Sequence, residues 1–227
     1  LLDTANILRL SRDLKEYLYK DEDFDLSNFP ILDSYFSRLY SNKAIEDKIF
    51  TCIIDENTIA DDASTVLANL RRNRRKLENQ IKDTLNKIIH SNTKAIMDPI
   101  VTIRNDRYVI PVKEDFKGQI KGFVHDVSAS GSTVFVEPMA VFELNNSISN
   151  IKVEESIEIE KILANLSSLL FGLTTELNND VYLIGKLDFI FAKASFSKNM
   201  NAICPIVNDN KCINLVKARH PLIDKDK

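Results

Sequence analysis

Apolar residues recur at helical spacing from the first residue. Leu2, Ala5 and Leu8, with Ile7, Leu10, Leu14, Tyr17 and Leu18, predict a helix over 1–20. The acidic run 21–25 reads as a loop. Residues 30–38 and 42–51 read as short helices, and 55–60 as a turn or short extended piece. From Asp62 to His90 there is neither Gly nor Pro, and Ala63, Val66, Leu70, Leu77, Ile81, Leu85 and Ile88 form a coiled-coil-like stripe. Asp61 or Asp62 is the expected N-cap. A helix of ~29 residues would be about 43 Å long.

The texture changes after Asp98-Pro99. Residues 100–104, 108–112, 123–127 and 133–136 are rich in β-branched and aromatic side chains. Asn105-Asp106 fits a two-residue hairpin turn, and residues 128–132 (SASGS) give a second turn signal. The prediction is a small antiparallel unit of about four strands over 99–137. Pro111 is expected at an edge, because proline donates nothing to a ladder.

Helix resumes at Pro138, a residue suited to a first helical turn. Leu144, Ile148, Ile151, Ile159, Ile162, Leu166, Leu169, Leu173 and Leu177 continue the stripe, which predicts about 40 residues and ~60 Å. Such a helix needs an apolar partner, and the 62–90 helix is the candidate. Asn178-Asn179-Asp180 suggests a reversal before a helix over 181–199. Two extended runs, 203–207 and 211–216, flank the turn 208–210. The expected fold class is therefore mainly α with a small inserted antiparallel β unit: a helical core, two long antiparallel helices, and the sheet at their far tip. The segments are 1–60 (helical core), 61–97 (outgoing helix), 98–137 (β insertion), 138–180 (returning helix), 181–202 (core helix) and 203–227 (extended).

Composition narrows the chemistry. Of 227 residues, 44% are hydrophobic and 28% charged, with no apolar run near the ~18–20 residues of a membrane span. The start does not read as a secretory signal, so a cytoplasmic protein without membrane attachment is expected. Cys52, Cys204 and Cys212 are an odd, scattered set that suits a reducing compartment. Cys204 and Cys212 could face one another across a hairpin, but buried thiols are the expected state. Three isolated His residues give little material for a metal site, and none is expected. Net charge is -3, which excludes a globally basic nucleic-acid binder. Residues 61–97 nevertheless carry 8 basic and 4 acidic side chains.

Local clusters carry the remaining possibilities. Arg104, Arg107, Lys113, Lys117 and Lys121 lie on the β unit among Tyr108, Phe116 and Phe123. They are candidates for contact with a nucleic-acid backbone, with Ser130 and Ser132 as hydroxyl donors. Glu114, Asp115 and Asp126 dilute that field. The 71–76 run (RRNRRK) reads first as a solvated helix paired with Glu154, Glu155, Glu158 and Glu160. His125-Asp126 beside Ser128 or Ser130 does not make a nucleophilic triad, since neighbouring strand residues point to opposite faces. No catalytic residue is assigned.

Two blocks, 101–113 (VTIRNDRYVIPVK) and 122–138 (GFVHDVSASGSTVFVEP), resemble a signature of the MutS family, in the branch of its second bacterial paralogue, whose members end in a Smr nuclease domain. Residues 217–222 (KARHPL) resemble the entry to the MutS ATPase domain. The resemblance covers essentially the whole chain and implies a core, lever and clamp that stop before the ATPase, as no Walker A motif is present. It implies a non-catalytic piece without its own cofactor, belonging to an ATP- and Mg-dependent dimeric clamp with a possible C-terminal nuclease. It also implies a DNA partner, branched or double-stranded, with recombination suppression as the process. The alternatives are a ribosome-engaging module for collided-ribosome rescue and a coiled-coil dimerisation spacer.

Overall fold

The computed structural model describes residues 1–19, 28–218, 220, 222 and 223. The acidic loop expected at 21–25 lies outside them, as do Arg219 and Pro221 of the 217–222 block. The fold is mainly helical with two small antiparallel sheets. The chain divides into two compact units. One comprises Ala44–Gly172 with Leu1–Leu2, and the other Asp3–Lys43 with Leu173–Lys227.

The first unit begins with α3 (Lys43–Cys52) and a hairpin of β1 (Ile53–Asp55) and β2 (Thr58–Ile59). Then comes α4 (Thr65–Ser91), a 27-residue helix about 40 Å long. Its N-cap is Ser64, not Asp61 or Asp62: the Ser64 hydroxyl accepts from Leu67 N at 3.0 Å. Asp61 is turned instead to Arg71 (2.5 Å) and Arg75 (2.6 Å). The buried positions are Leu67, Ile81, Leu85 and Ile89, so the stripe is rotated from the predicted one at both ends and Val66 is exposed. Burial follows the partner helix, and both registers satisfy the same spacing.

Four strands follow: β3 (Thr102–Arg104), β4 (Arg107–Lys113), β5 (Gly122–Val127) and β6 (Thr133–Pro138), all antiparallel in the order β3-β4-β6-β5. Pro111 is not at an edge. It is buried in β4, opposite Phe135 of β6. Its carbonyl accepts from Met97 N at 3.0 Å, so its nitrogen also faces the 95–97 segment and not β6. That flank carries only an isolated bridge between Ile96 and Val112, and the missing donor breaks no β4–β6 bond. Gly122 sits where β5 closes on β6; a β-carbon there would collide with the Glu137 carbonyl.

Helix α5 (Met139–Phe171) returns antiparallel to α4 over 33 residues, about 50 Å. Ile81, Leu85 and Ile89 of α4, Ile110, Val112, Val134 and Val136 of the sheet, and Val141 and Ile148 of α5 form one core. The sheet is thus packed against the helix ends and stabilised by the same burial that joins the helices. Farther along, Arg74 reaches Glu155 at 2.7 Å and Ser64 reaches Glu158 at 2.8 Å. Glu154 and Glu160 make no such pair among the described residues.

The second unit contains α1 (Leu2–Tyr19), α2 (Pro30–Phe36) and α6 (Thr174–Met200). Its core is Leu18, Phe36, Leu39, Leu183 and Leu187. Two expectations fail here. The returning helix ends at Phe171 rather than near 177, because Gly172 interrupts it and α6 starts at Thr174. No reversal occurs at 178–180, which lies inside α6. Asn179 exchanges hydrogen bonds with Arg38, and buried Asp180 accepts from Tyr40 N (2.8 Å) and Ser11 Oγ (2.9 Å). Those tertiary partners outweigh the turn preference of Asn-Asn-Asp. Residues 203–216 form no strands, and Ile203, Ile206, Val207, Ile213, Leu215 and Val216 are exposed. Cys204 and Cys212 are exposed rather than buried, since no hairpin encloses them; Cys52 is buried.

Leu85→Ala should lower the stability of the first unit by about 2–5 kcal/mol, read from denaturant unfolding. In the second unit, burial pushes the Asp180 carboxyl above its ordinary 3.8, opposed by Tyr40 N–H, the Ser11 hydroxyl and Lys15 and reinforced by Glu176. The folded chain therefore holds this proton more tightly than the unfolded chain. The stability it contributes is full below 3.8 and is lost as pH rises through the raised native value. Asp180→Asn should accordingly gain stability relative to wild type in thermal melts as pH rises above 3.8. A relative loss over that range would contradict this account.

Candidate nucleic-acid interface

Both turns of the sheet use left-handed backbone. Asn105 (φ 49°) and Asp106 (φ 61°) close β3 on β4, a geometry that Asn and Asp tolerate. Lys152 of α5 holds the turn through Asp106 at 2.8 Å, and that bond keeps the Asp106 carboxyl below its ordinary pKa. Gly131 (φ 72°) closes β5 on β6.

The candidate cations meet different fates. Arg104 and Arg107 are register partners across the first turn. Arg104 stacks its guanidinium 4.2 Å from the Phe135 ring centre and pairs with Asp126 at 3.2 Å, keeping 40% of its side chain exposed. Arg107 turns inward to Glu137 Oε1 (2.8 Å) and Asn146 Oδ1 (2.7 Å). Lys113 donates to the Lys94 carbonyl at 3.1 Å, and Lys117 pairs with Glu114 of its own turn. Lys121 is exposed, with no side-chain bond among the described residues.

The seven residues form two groups. Arg104, Arg107 and Lys121 lie at the end of the sheet where β6 passes into α5, and Lys121 O accepts from Met139 N. Lys113, Lys117, Ser130 and Ser132 lie at the opposite end. There Lys113 faces Thr133, and the Ser132 carbonyl accepts from Glu114 N. Along β4 the separation is about 20 Å at ~3.3 Å per residue. At the second end the Ser130 and Ser132 hydroxyls are 2.8 Å apart and both residues are exposed. A third hydroxyl, Ser128, is 3.3 Å from Ser130 and also accepts from Thr133 N. Lys113 at the end of β4, Lys117 on the turn after it and the hydroxyls of the 128–132 turn offer donors to an anionic backbone.

At the other end, where β6 passes into α5, is a polar knot that the residue pattern did not single out. Glu137 has no exposed side-chain surface. Its carboxylate meets Arg107 Nη1 at 2.8 Å, His125 Nε2 at 2.5 Å and Asn145 Nδ2 at 2.7 Å. Asn145 also brackets the Tyr108 backbone, accepting from N at 3.1 Å and donating to O at 3.2 Å. A weak signal was present: an acid ending an apolar strand, and an Asn pair near the start of a long helix. His125 and Asp126 diverge, one to Glu137 and the other to Arg104. A groove of about 430 Å³ lies beside β3, lined by Lys82, Asn86, Ile100, Ile103 and Tyr108 among others. No helix among the described residues is long and apolar enough to cross a membrane.

No family profile matches the chain. Curated relatives do. It is 49% identical over 227 residues, 99% of its length, to Endonuclease MutS2 of Acetivibrio thermocellus, of which it spans 28%. The proteins of the same name from Ruminiclostridium cellulolyticum and Clostridium acetobutylicum are 46% and 42% identical, and the chain spans 28% and 29% of them. The chain belongs to the MutS family, in its MutS2 branch. The two MutS-like blocks occupy β3–β4 and β5–β6, so the signature is carried largely by the sheet and its turns. The second block also supplies Gly122, His125 and Glu137, which explains part of its pattern by packing.

Glu137→Ala would leave Arg107 and Asn145 without their buried acceptor and should cost about 3 kcal/mol in chemical unfolding. Glu137→Gln keeps an acceptor and should cost less. Equal losses for both would refute the hydrogen-bond account.

Proposed function

We propose that this segment is the core, lever and clamp of a longer MutS2-type ATPase. In this reading the sheet grips the backbone of branched or double-stranded DNA, and the α4–α5 pair couples that grip to nucleotide state. The segment itself is non-catalytic. ATP and Mg belong to an ATPase domain outside it, any nuclease activity belongs to a further domain, and the working form is a cytoplasmic homodimer. The single observation behind the reading is the hydroxyl- and lysine-bearing end of the sheet, Lys113, Lys117, Ser130 and Ser132, where the two MutS-like blocks supply Lys113, Ser130 and Ser132. The relatives' name, endonuclease, supports nucleic acid as the ligand class.

Helices suit the coupling role. They share one apolar core with the sheet, and α5 holds it through Asn145 and Asn146 as well. A displacement of α5 would carry the sheet with it. Arg104 and Lys121 extend the grip at the other end, whereas Arg107 acts by orienting Glu137 and Asn146.

The test is binding of a four-way DNA junction by the full-length protein across a salt series. Lys113→Ala, Lys117→Ala and Lys121→Ala together should weaken binding at least ~10-fold and flatten the salt dependence by about 0.9 per contact removed. Salt-independent binding, or an unaffected triple variant, would overturn the reading. Co-sedimentation with ribosomes that the same variant abolishes, while junction binding persists, would replace DNA with the ribosome.

A further inference from the structure

The sheet is not the strongest unneutralised positive surface of the first unit. Helix α4 carries seven Lys and Arg residues but only two acids, Glu78 and Asp83. Three of the cations are taken up internally: Arg71 and Arg75 by Asp61, and Arg74 by Glu155 and Glu78. On α5, buried Glu155 and half-buried Glu158 are engaged in the seam. Arg72, Lys76, Lys82 and Lys87 are exposed and make no side-chain hydrogen bond or ion pair among the described residues.

Their placement is not random. At about 100° per residue, Arg72, Lys76 and Lys87 fall within an arc of about 60°, opposite the face of Ile81 and Leu85. Asp83 is the one acid in that arc, and Asn79, Gln80 and Asn86 flank it. A solvated helix face usually pairs opposite charges one turn apart. Here Arg72 stands one turn from Lys76, a repulsive arrangement, and Lys87 does not close on Asp83. Among the described residues no acid pairs with Arg72, Lys76 or Lys87, and an external polyanion would offset that repulsion. From Arg72 to Lys87 the helix rises about 22 Å, the length of six to seven base pairs at ~3.4 Å each. Lys82 and Asn86 also line the groove beside β3, which brings the strip up to the sheet.

We propose that the outward face of α4, through Arg72, Lys76 and Lys87 with Lys82 at its flank, is a second contact surface for the phosphate backbone of duplex nucleic acid. It shares its ligand class with the reading above but depends on a separate set of residues on a different element.

The experiment measures anisotropy of a labelled duplex of about thirty base pairs with the 227-residue chain over a salt series. Four variants are compared: R72Q/K76Q/K87Q on α4, Lys113→Ala with Lys117→Ala and Lys121→Ala on the sheet, the equal-charge control K186Q/K193Q/K198Q on α6, and Asp83→Asn. All these positions are solvent-facing or half-exposed, and thermal melts confirm folding. The α4 triple variant should lower the salt slope by about 2–3 and weaken binding at least ~10-fold, while Asp83→Asn should tighten it severalfold. An α4 variant that binds like wild type, or no better and no worse than the α6 control, overturns the proposal, as does an Asp83→Asn variant with unchanged affinity. Loss in the sheet variant alone sinks this proposal and leaves the sheet reading standing; loss in the α4 variant alone does the reverse. A wild-type chain that does not bind the duplex overturns the proposal outright.

Discussion

A carboxylate removed from water loses its hydration and must recover it from fixed donors. Glu137 does so with donors from β4, β5 and α5 at once, and that requirement organises the sheet. Arg107 cannot swing outward without stranding it. Asn145 cannot leave without also releasing the Tyr108 backbone. The apolar core sets how closely sheet and helices approach, but apolar contact has no direction. The Glu137 knot supplies the direction and fixes the orientation of the sheet on the first turns of α5.

The attachment is therefore unequal on its two sides. On α5 the sheet is held by oriented polar bonds as well as by Val141 and Ile148. On α4 it rests on Ile81, Leu85 and Ile89, with the bridge from Ile96 to Val112 as the main backbone link. Dispersion contacts tolerate small slides that hydrogen bonds do not. A sheet that follows α5 while riding on α4 is a natural consequence, and its two ends carry separate groups of cations.

The charge pattern follows the same division between buried and exposed. Glu155 of α5, with Asp61 and Glu78, neutralises the inward Arg71 and Arg74 of α4, where low exposure makes an unpaired charge costly. Arg72, Lys76, Lys82 and Lys87 of the same helix have no such partner among the described residues and are left to solvent or to a ligand. Equal residue types on one helix thus do unequal work, decided by about 100° of rotation per step.

Much of the architecture was legible in the residue spacing. The two long helices, the four strands and the Asn105-Asp106 turn follow from periodicity and turn chemistry, which are local properties of the chain. Tertiary contact decided what local pattern leaves degenerate. It rotated the α4 stripe to Leu67 and Ile89, kept 178–180 helical through Arg38, Tyr40 and Ser11, and buried Pro111 in a strand whose far flank needs no donor. It also separated the candidate cations, turning Arg107 inward while leaving Lys121 free. A sequence specifies where charges occur along the chain, but which of them meets a buried partner depends on residues tens of positions away, brought alongside only by folding.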